Sequence, residues 1–155
     1  MTINILFICL GNICRSPMAE AVFGQLVAEA GLSDKINVDS AGTGTWHIGE
    51  PACSGTRKVL ARHGYQYHGR ARQVTAADMS DPDGMIIAMS AENMRDLHFR
   101  YGEHPRQYRL LDFAENSDEQ DVPDPYYEGN FDYVYQLVED GCLGLLKSIQ
   151  QSERF

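Results

Sequence analysis

The sequence predicts an α/β fold: one domain over residues 1–155, with a four-stranded parallel sheet, helices on both of its faces and a phosphate-binding loop after the first strand. Three observations lead there. Short runs of strand composition recur at Ile3–Ile8, Ile36–Ala41, Gly84–Met89 and Tyr108–Leu111, and the first and third are almost wholly apolar, as a strand buried on both faces must be. Segments of helical composition separate them, and alternation of strand and helix builds parallel sheets. Finally, the first run ends in Cys9-Leu10-Gly11-Asn12-Ile13-Cys14-Arg15-Ser16-Pro17, a loop that runs into a Ser-Pro helix start. Such a fold has right-handed crossovers and collects ligands at the carboxyl ends of its strands.

Each element has its own signals. Ser16 is placed as the cap of the first helix and Pro17 in its first turn; Met18–Glu29 follows, with Met18, Val22, Leu26 and Val27 as the buried stripe, and Gly31 closes it. Residues 42–51 form a glycine-rich loop that carries the only Trp, Trp46, which either caps the core or lines a site. Ala52–His63 reads as a helix with Val59 and Leu60 inward; Cys53 falls in its first turn, where a packing role outweighs a reactive one. Thr75 caps a short helical turn through Asp78, and Ser90 caps a helix over Ala91–Phe99. Residues 113–121 are acidic and exposed, and Glu128–Ile149 is the final helix, with Phe131, Val134, Tyr135, Val138, Leu145 and Ile149 among its apolar positions. No repeat, low-complexity tract or linker divides the chain.

The loop after the first strand is suited to anion chemistry. Successive backbone N–H groups followed by a helix N-terminus cradle an anion, and Arg15 adds a planar fork for two phosphate oxygens. Cys9 stands at the base of the cradle, where the field that attracts phosphate also favours the thiolate, a nucleophile for phosphoryl transfer. A bare C-x5-R spacing is weak, and a buried strand cysteine is the commonest fate of free Cys; the strand before it and the helix start after it make the motif specific. Expelling the leaving oxygen then needs a proton donor. Val122-Pro123-Asp124-Pro125-Tyr126-Tyr127 offers Asp124, held stiff by a proline on either side, with two aromatic side chains next to it that suit a phenyl ring. Taken alone, that segment reads more readily as a proline-marked turn; beside the Cys9–Arg15 loop it reads as the second half of a site. Asp121 is the nearest rival carboxylate and lacks the flanking prolines.

The run from Cys9 to Glu20, CLGNICRSPMAE, resembles the signature of the low-molecular-weight protein tyrosine phosphatases, and the Asp-Pro-Tyr-Tyr segment at Asp124–Tyr127 is similar to the family's general-acid segment. The resemblance implies a metal-independent, cofactor-free phosphatase that forms a phosphocysteine on Cys9. Arg15 and the amides of Leu10, Gly11, Asn12, Ile13 and Cys14 would bind phosphate, and Asp124 would act as general acid and base. It further implies Trp46, Tyr126 and Tyr127 as substrate contacts, Asn12 and Ser40 as supports of the loop, and Ser16 as a hydroxyl for the Cys9 thiolate. From the residues alone Ser16 and Ser40 could equally be cap or turn residues. By the same resemblance Cys14 pairs reversibly with Cys9, or else is passive. Similar proteins often carry Asp where this chain has Ser90, so another group would have to brace the loop. Two relatives by fold are alternatives. A thioredoxin-coupled arsenate reductase needs resolving cysteines absent from residues 80–100, and a protein-arginine phosphatase carries Thr where this chain has Ile13.

Composition narrows the partners. With 13 Lys and Arg against 22 Asp and Glu, the net charge is −9, which argues against nucleic acid. No apolar run approaches the ~20 residues of a membrane span, and no basic stretch precedes Ile3, so neither membrane insertion nor a secretory leader is expected. The four cysteines show no metal-binding C-x2-C spacing and imply no disulfide framework; reactive thiols fit a reducing compartment, the cytoplasm. The expected partners are tyrosine-phosphorylated proteins, met by a monomer with at most weak self-association.

Overall fold

Strand β1 (Ile3–Cys9) lies between β2 (Ile36–Gly42) and β3 (Gly84–Ala88), and β4 (Gln107–Arg109) completes a sheet of order β2-β1-β3-β4 in which every pairing is parallel. The computed structural model describes residues 2–153 and 155, apart from the side chains at 127 and 128. Alternation along β1 divides its side chains: Ile3, Ile5, Phe7 and Cys9 enter the larger core, Leu6 and Ile8 the smaller one. The larger core is closed by α1 (Arg15–Glu29), α2 (Ser54–Arg62) and α6 (Phe131–Glu153), and the smaller by Met79 of α3 (Ala76–Ser80) and Leu97 of α4 (Ala91–Tyr101). A sheet covered on both faces explains why β1 and β3 need continuous apolar character.

The expected elements are present, with shifted ends. Helix α1 starts at Arg15, with Cys14 in the cap position; Ser16 does not cap it, because the Ser16 hydroxyl is turned to the Cys9 sulfur. Leu26 is only half-buried, and Phe23, edge-on to Phe7, fills the stripe instead. Helix α2 is shorter than expected at both ends. The fourth strand stops at Arg109, whose N–H is taken by the Asp112 carboxylate, so Leu110–Phe113 winds into a 3-10 turn. The final helix does not start at Glu128. A separate turn, α5 (Pro125–Glu128), is capped at its start by Asp124 and stopped by Gly129, whose left-handed backbone (φ 74°) breaks the chain before Phe131. Thr75 and Asp78 form the expected reciprocal cap, and Ser90 caps α4.

Gly144 on α6 tests how closely this helix is seated. Helix propensity favours Ala there by about 1 kcal/mol. A Cβ, however, would overlap the Phe113 carbonyl, a backbone group that cannot swing aside. Overpacking of this kind costs about 1–3 kcal/mol, so Gly144→Ala should lower the urea midpoint; a raised midpoint would show that the 3-10 turn yields freely.

Candidate active site

The loop of residues 9–15 leaves the carboxyl end of β1, at the point where the chain passes from β2 on one side to β3 on the other, the usual ligand position of an open α/β sheet. Neighbouring backbone fixes it from two sides. Thr43 and Gly44 N–H donate to the carbonyls of Cys9 and Leu10 (3.0 and 2.9 Å), and Cys53 N–H donates to that of Ile13 (2.7 Å). At the centre Asn12 has φ of +55°, the one positive value among the described non-glycine residues. That conformation costs on the order of 1 kcal/mol. Three hydrogen bonds hold it: the side-chain amide donates to Ser16 Oγ (2.8 Å) and Ser40 Oγ (2.9 Å), and its oxygen accepts from Arg72 N–H (3.0 Å). At about 0.5–1.5 kcal/mol each, buried bonds of this kind outweigh the strain.

Ser16 Oγ accepts from the Asn12 amide and lies 3.0 Å from Cys9 Sγ; with Cys9 as thiolate, which has no hydrogen to give, the Ser16 hydroxyl is the donor. Asn12 N–H donates to the sulfur as well, at 3.3 Å. Two donors therefore converge where the charge of a thiolate would reside. Behind this layer, Ser40 Oγ–H donates to Glu20 Oε1 (2.5 Å), which also accepts from the Tyr67 hydroxyl (2.9 Å). Burial raises the Glu20 carboxyl pKa above its ordinary value, and the bonds from Ser40 and Tyr67 offset only part of that.

Arg15 is buried (7% exposed) and held across the chain: Nη1 donates to the Val122 carbonyl (3.1 Å), and Nη2 lies 3.5 Å from Asp124 Oδ2. Val122 N–H is in turn bonded to the Met89 carbonyl, so the segment carrying Asp124 is pinned to the end of β3. Asp124 Oδ1 accepts Tyr126 N–H (3.1 Å) as the cap of α5. Ser90 serves only as the buried cap of α4; bracing of the loop comes from Asn12 and Val122. Asp121, the rival carboxylate, accepts Ala91 N–H and so belongs to the start of α4.

A cavity of about 330 Å³ opens beside the loop, with Leu10, Gly11 and Ile13 on one side, Trp46 and His47 on a second, and Asp124 and Tyr126 opposite. Trp46 is 71% exposed and so stands on the rim and does not cap the core; a Cβ at Gly44 would overlap its ring, which needs glycine there. His47, not anticipated from sequence, is paired with Glu50 (2.9 Å) and tilts against Tyr126 with ring centroids 5.9 Å apart. The expected contact from Tyr127 lies outside the described side chains.

The cysteines depart from expectation. Cys14 is joined by a disulfide to Cys53, with Cα atoms 5.5 Å apart, and not to Cys9; Cys9 and Cys142 are free thiols. The pairing follows from docking of the α2 N-terminus on the loop, which the Cys53–Ile13 backbone bond and a Thr56 hydroxyl bond to the Cys14 carbonyl (3.0 Å) hold in register. The expectation of no disulfide does not survive this, nor does the pairing of Cys14 with Cys9 that the resemblance implied.

The family of low molecular weight phosphotyrosine protein phosphatases matches residues 4–154. The chain belongs to this family. A low molecular weight protein-tyrosine-phosphatase of Bacillus subtilis, YfkJ, is 53% identical over 157 residues, covering 98% of this chain and 99% of that one. The crystal structure of YfkJ superimposes with a TM-score of 0.93 over 98% of this chain and 97% of that one. A protein tyrosine phosphatase from Entamoeba histolytica is 37% identical, with a TM-score of 0.92 over 98% and 99%. A Drosophila arginine phosphatase is 30% identical, with a TM-score of 0.84 over 94% and 97%. Among the described residues of this family member, no helix is long and apolar enough to cross a membrane.

Glu20 makes the supporting layer testable. Its folded carboxyl holds a proton more tightly than the unfolded one. The stability it contributes is therefore complete below the ordinary carboxyl range and is lost as pH rises through the raised value. Glu20→Gln keeps an oxygen to accept from Ser40 and Tyr67 but cannot ionise. Between about pH 4 and about pH 7, its unfolding free energy relative to wild type should move in favour of the variant. A difference that does not change with pH, in urea titrations, would contradict the buried carboxylate.

Proposed function

We propose that this chain hydrolyses phosphotyrosine in proteins through a phosphocysteine on Cys9, without metal. The observation that carries the reading is the meeting of Arg15 and Asp124 at the edge of an aromatic-walled cavity, beside a cysteine sulfur within hydrogen-bond reach of the Ser16 hydroxyl and Asn12 N–H. The tyrosine-phosphatase names of the bacterial and amoebal relatives support it.

The steps follow from the groups in place. A phosphate dianion entering the loop meets its backbone N–H groups and the Arg15 fork. The Arg15–Asp124 pair is long and partly exposed, hence weak, so phosphate displaces Asp124 from Nη2. Cys9 then attacks phosphorus in line. Arg15 and the amides of residues 10–15 take up the charge on the equatorial oxygens, and the carboxyl group of Asp124 protonates the departing phenol oxygen. Asp124, now a carboxylate, takes a proton from water as the S–P bond breaks, while Ser16 and Asn12 N–H receive the returning negative sulfur. Trp46, His47 and Tyr126 form a slot that packs a flat ring and leaves a short phosphoserine side chain uncovered. Phosphoarginine is the second reading, on the strength of the Drosophila relative; apolar Ile13 in the cavity wall offers no hydrogen bond to a guanidinium and weighs against it. The thiol nucleophile suits the cytoplasm.

Turnover of a phosphotyrosyl peptide in EDTA, with phosphoarginine as the comparison, tests the proposal. Cys9→Ser should abolish turnover. Asp124→Asn should lower kcat by about 10²–10⁴-fold, with a smaller loss for p-nitrophenyl phosphate, whose leaving group needs less protonation. Faster phosphoarginine than phosphotyrosine turnover would overturn the substrate assignment, and full activity of Cys9→Ser would overturn the mechanism.

A further inference from the structure

The disulfide between Cys14 and Cys53 joins the phosphate loop to the helix beside it. Cys14 is buried (4% exposed) and precedes Arg15 directly. Cys53 is half-buried and lines an open groove between α2 and the α5–α6 junction, with Ser54, Lys58, Tyr126 and Phe131. The two backbones are already docked by the Cys53–Ile13 and Thr56–Cys14 bonds, and the 5.5 Å Cα separation lies within the span of a disulfide. The bond therefore joins two segments that are already in register. A bond from Cys14 to Cys9 would instead occupy the sulfur that Ser16 and Asn12 N–H hold. The fourth cysteine, Cys142, is fully buried against the Ala19 carbonyl, out of reach of oxidants.

We infer that Cys14 and Cys53 form a redox site of their own, which diverts disulfide oxidants from Cys9 and so keeps the phosphatase active under oxidation. This rests on reading Cys9 as the nucleophile. The oxidant is a small disulfide, such as glutathione disulfide, entering by the groove. The Cys53 thiolate attacks one of its sulfurs and releases a glutathione thiolate. The Cys14 thiolate then attacks the Cys53 sulfur, forms the Cys14–Cys53 bond and releases the second glutathione. Both cysteines are oxidised by one electron each, both protons go to glutathione, and Cys9 is left without a cysteine partner. Without Cys53, Cys14 is free to take Cys9 as its partner, and the nucleophile is lost.

The test uses fully reduced full-length protein, freed of reductant and exposed to glutathione disulfide, with wild type and Cys53→Ser compared. Three readouts are taken: p-nitrophenyl phosphate turnover, iodoacetamide labelling of Cys9, and a non-reducing peptide map. Wild type should link Cys14 to Cys53, keep most of its initial rate and leave Cys9 open to label. Cys53→Ser should lose about tenfold or more of its own initial rate and of its Cys9 labelling, both restored by dithiothreitol. Loss of Cys9 labelling in wild type, a wild-type map without the Cys14–Cys53 link, or equal resistance of Cys53→Ser would overturn the inference. If reduced wild type shows no turnover, the phosphatase reading fails, while labelling and map still decide whether Cys53 shields Cys9.

Discussion

The side-chain amide of Asn12 is the constraint on which the site depends. A loop that turns its N–H groups toward one point must pass through backbone that most residues avoid, and here a single residue sits at φ +55°. Asn tolerates that conformation better than most residues but is not held there by its own preference. Its three hydrogen bonds reach Ser16 on the helix after the loop, Ser40 on the neighbouring strand and the backbone of Arg72, so elements from three parts of the chain fix one dihedral angle. The loop is therefore set without any ligand, and in the proposed reaction its amides would need little reorganisation as charge moves onto phosphate.

The sheet makes that convergence possible. β1 is central, its Cys9 paired in register with Gly42 of β2, so Ser40 comes beside the loop. On the other flank β3 leads to Met89, whose carbonyl anchors Val122, and Val122 in turn holds Arg15 close to Asp124. Cys9 at the end of β1 and Asp124, far along the chain, are thus brought to the carboxyl end of one parallel sheet through two backbone relays. The acidic composition would work against a phosphate ligand at long range, and screening over about 8–10 Å would leave the short-range field of the loop and Arg15 to decide the proposed binding.

Much of this was legible in the sequence where the signal is local. Apolar runs at Ile3–Ile8 and Gly84–Met89 announce buried strands, and C-x5-R between a strand and a Ser-Pro start announces the loop that joins β1 to α1. What was not legible depends on where distant segments land. Cys14 and Cys53 are 39 residues apart, and their pairing follows from how α2 docks on the loop. His47 enters the cavity wall because residues 43 and 44 bond back to the Cys9 and Leu10 carbonyls and its ring then lies against Gly11. Ser16 looked like a cap because Ser before Pro commonly is one; the demand of the Cys9 sulfur and the Asn12 amide for its hydroxyl overrides that local preference. Gly129, stopping the short turn before it, puts the start of the final helix at Phe131, where composition alone had it at Glu128.

The account stands on Cys9 as the atom that carries the phosphoryl group. The most direct measurement is rapid acid quench of Asp124→Asn during turnover of a phosphotyrosyl peptide, followed by peptide mapping by mass spectrometry. The account predicts one phosphoryl group on the peptide that contains Cys9, formed as the first tyrosine is released and decaying with turnover. Tyrosine release with no phosphoryl group on the protein, or with the group on another residue, would contradict it.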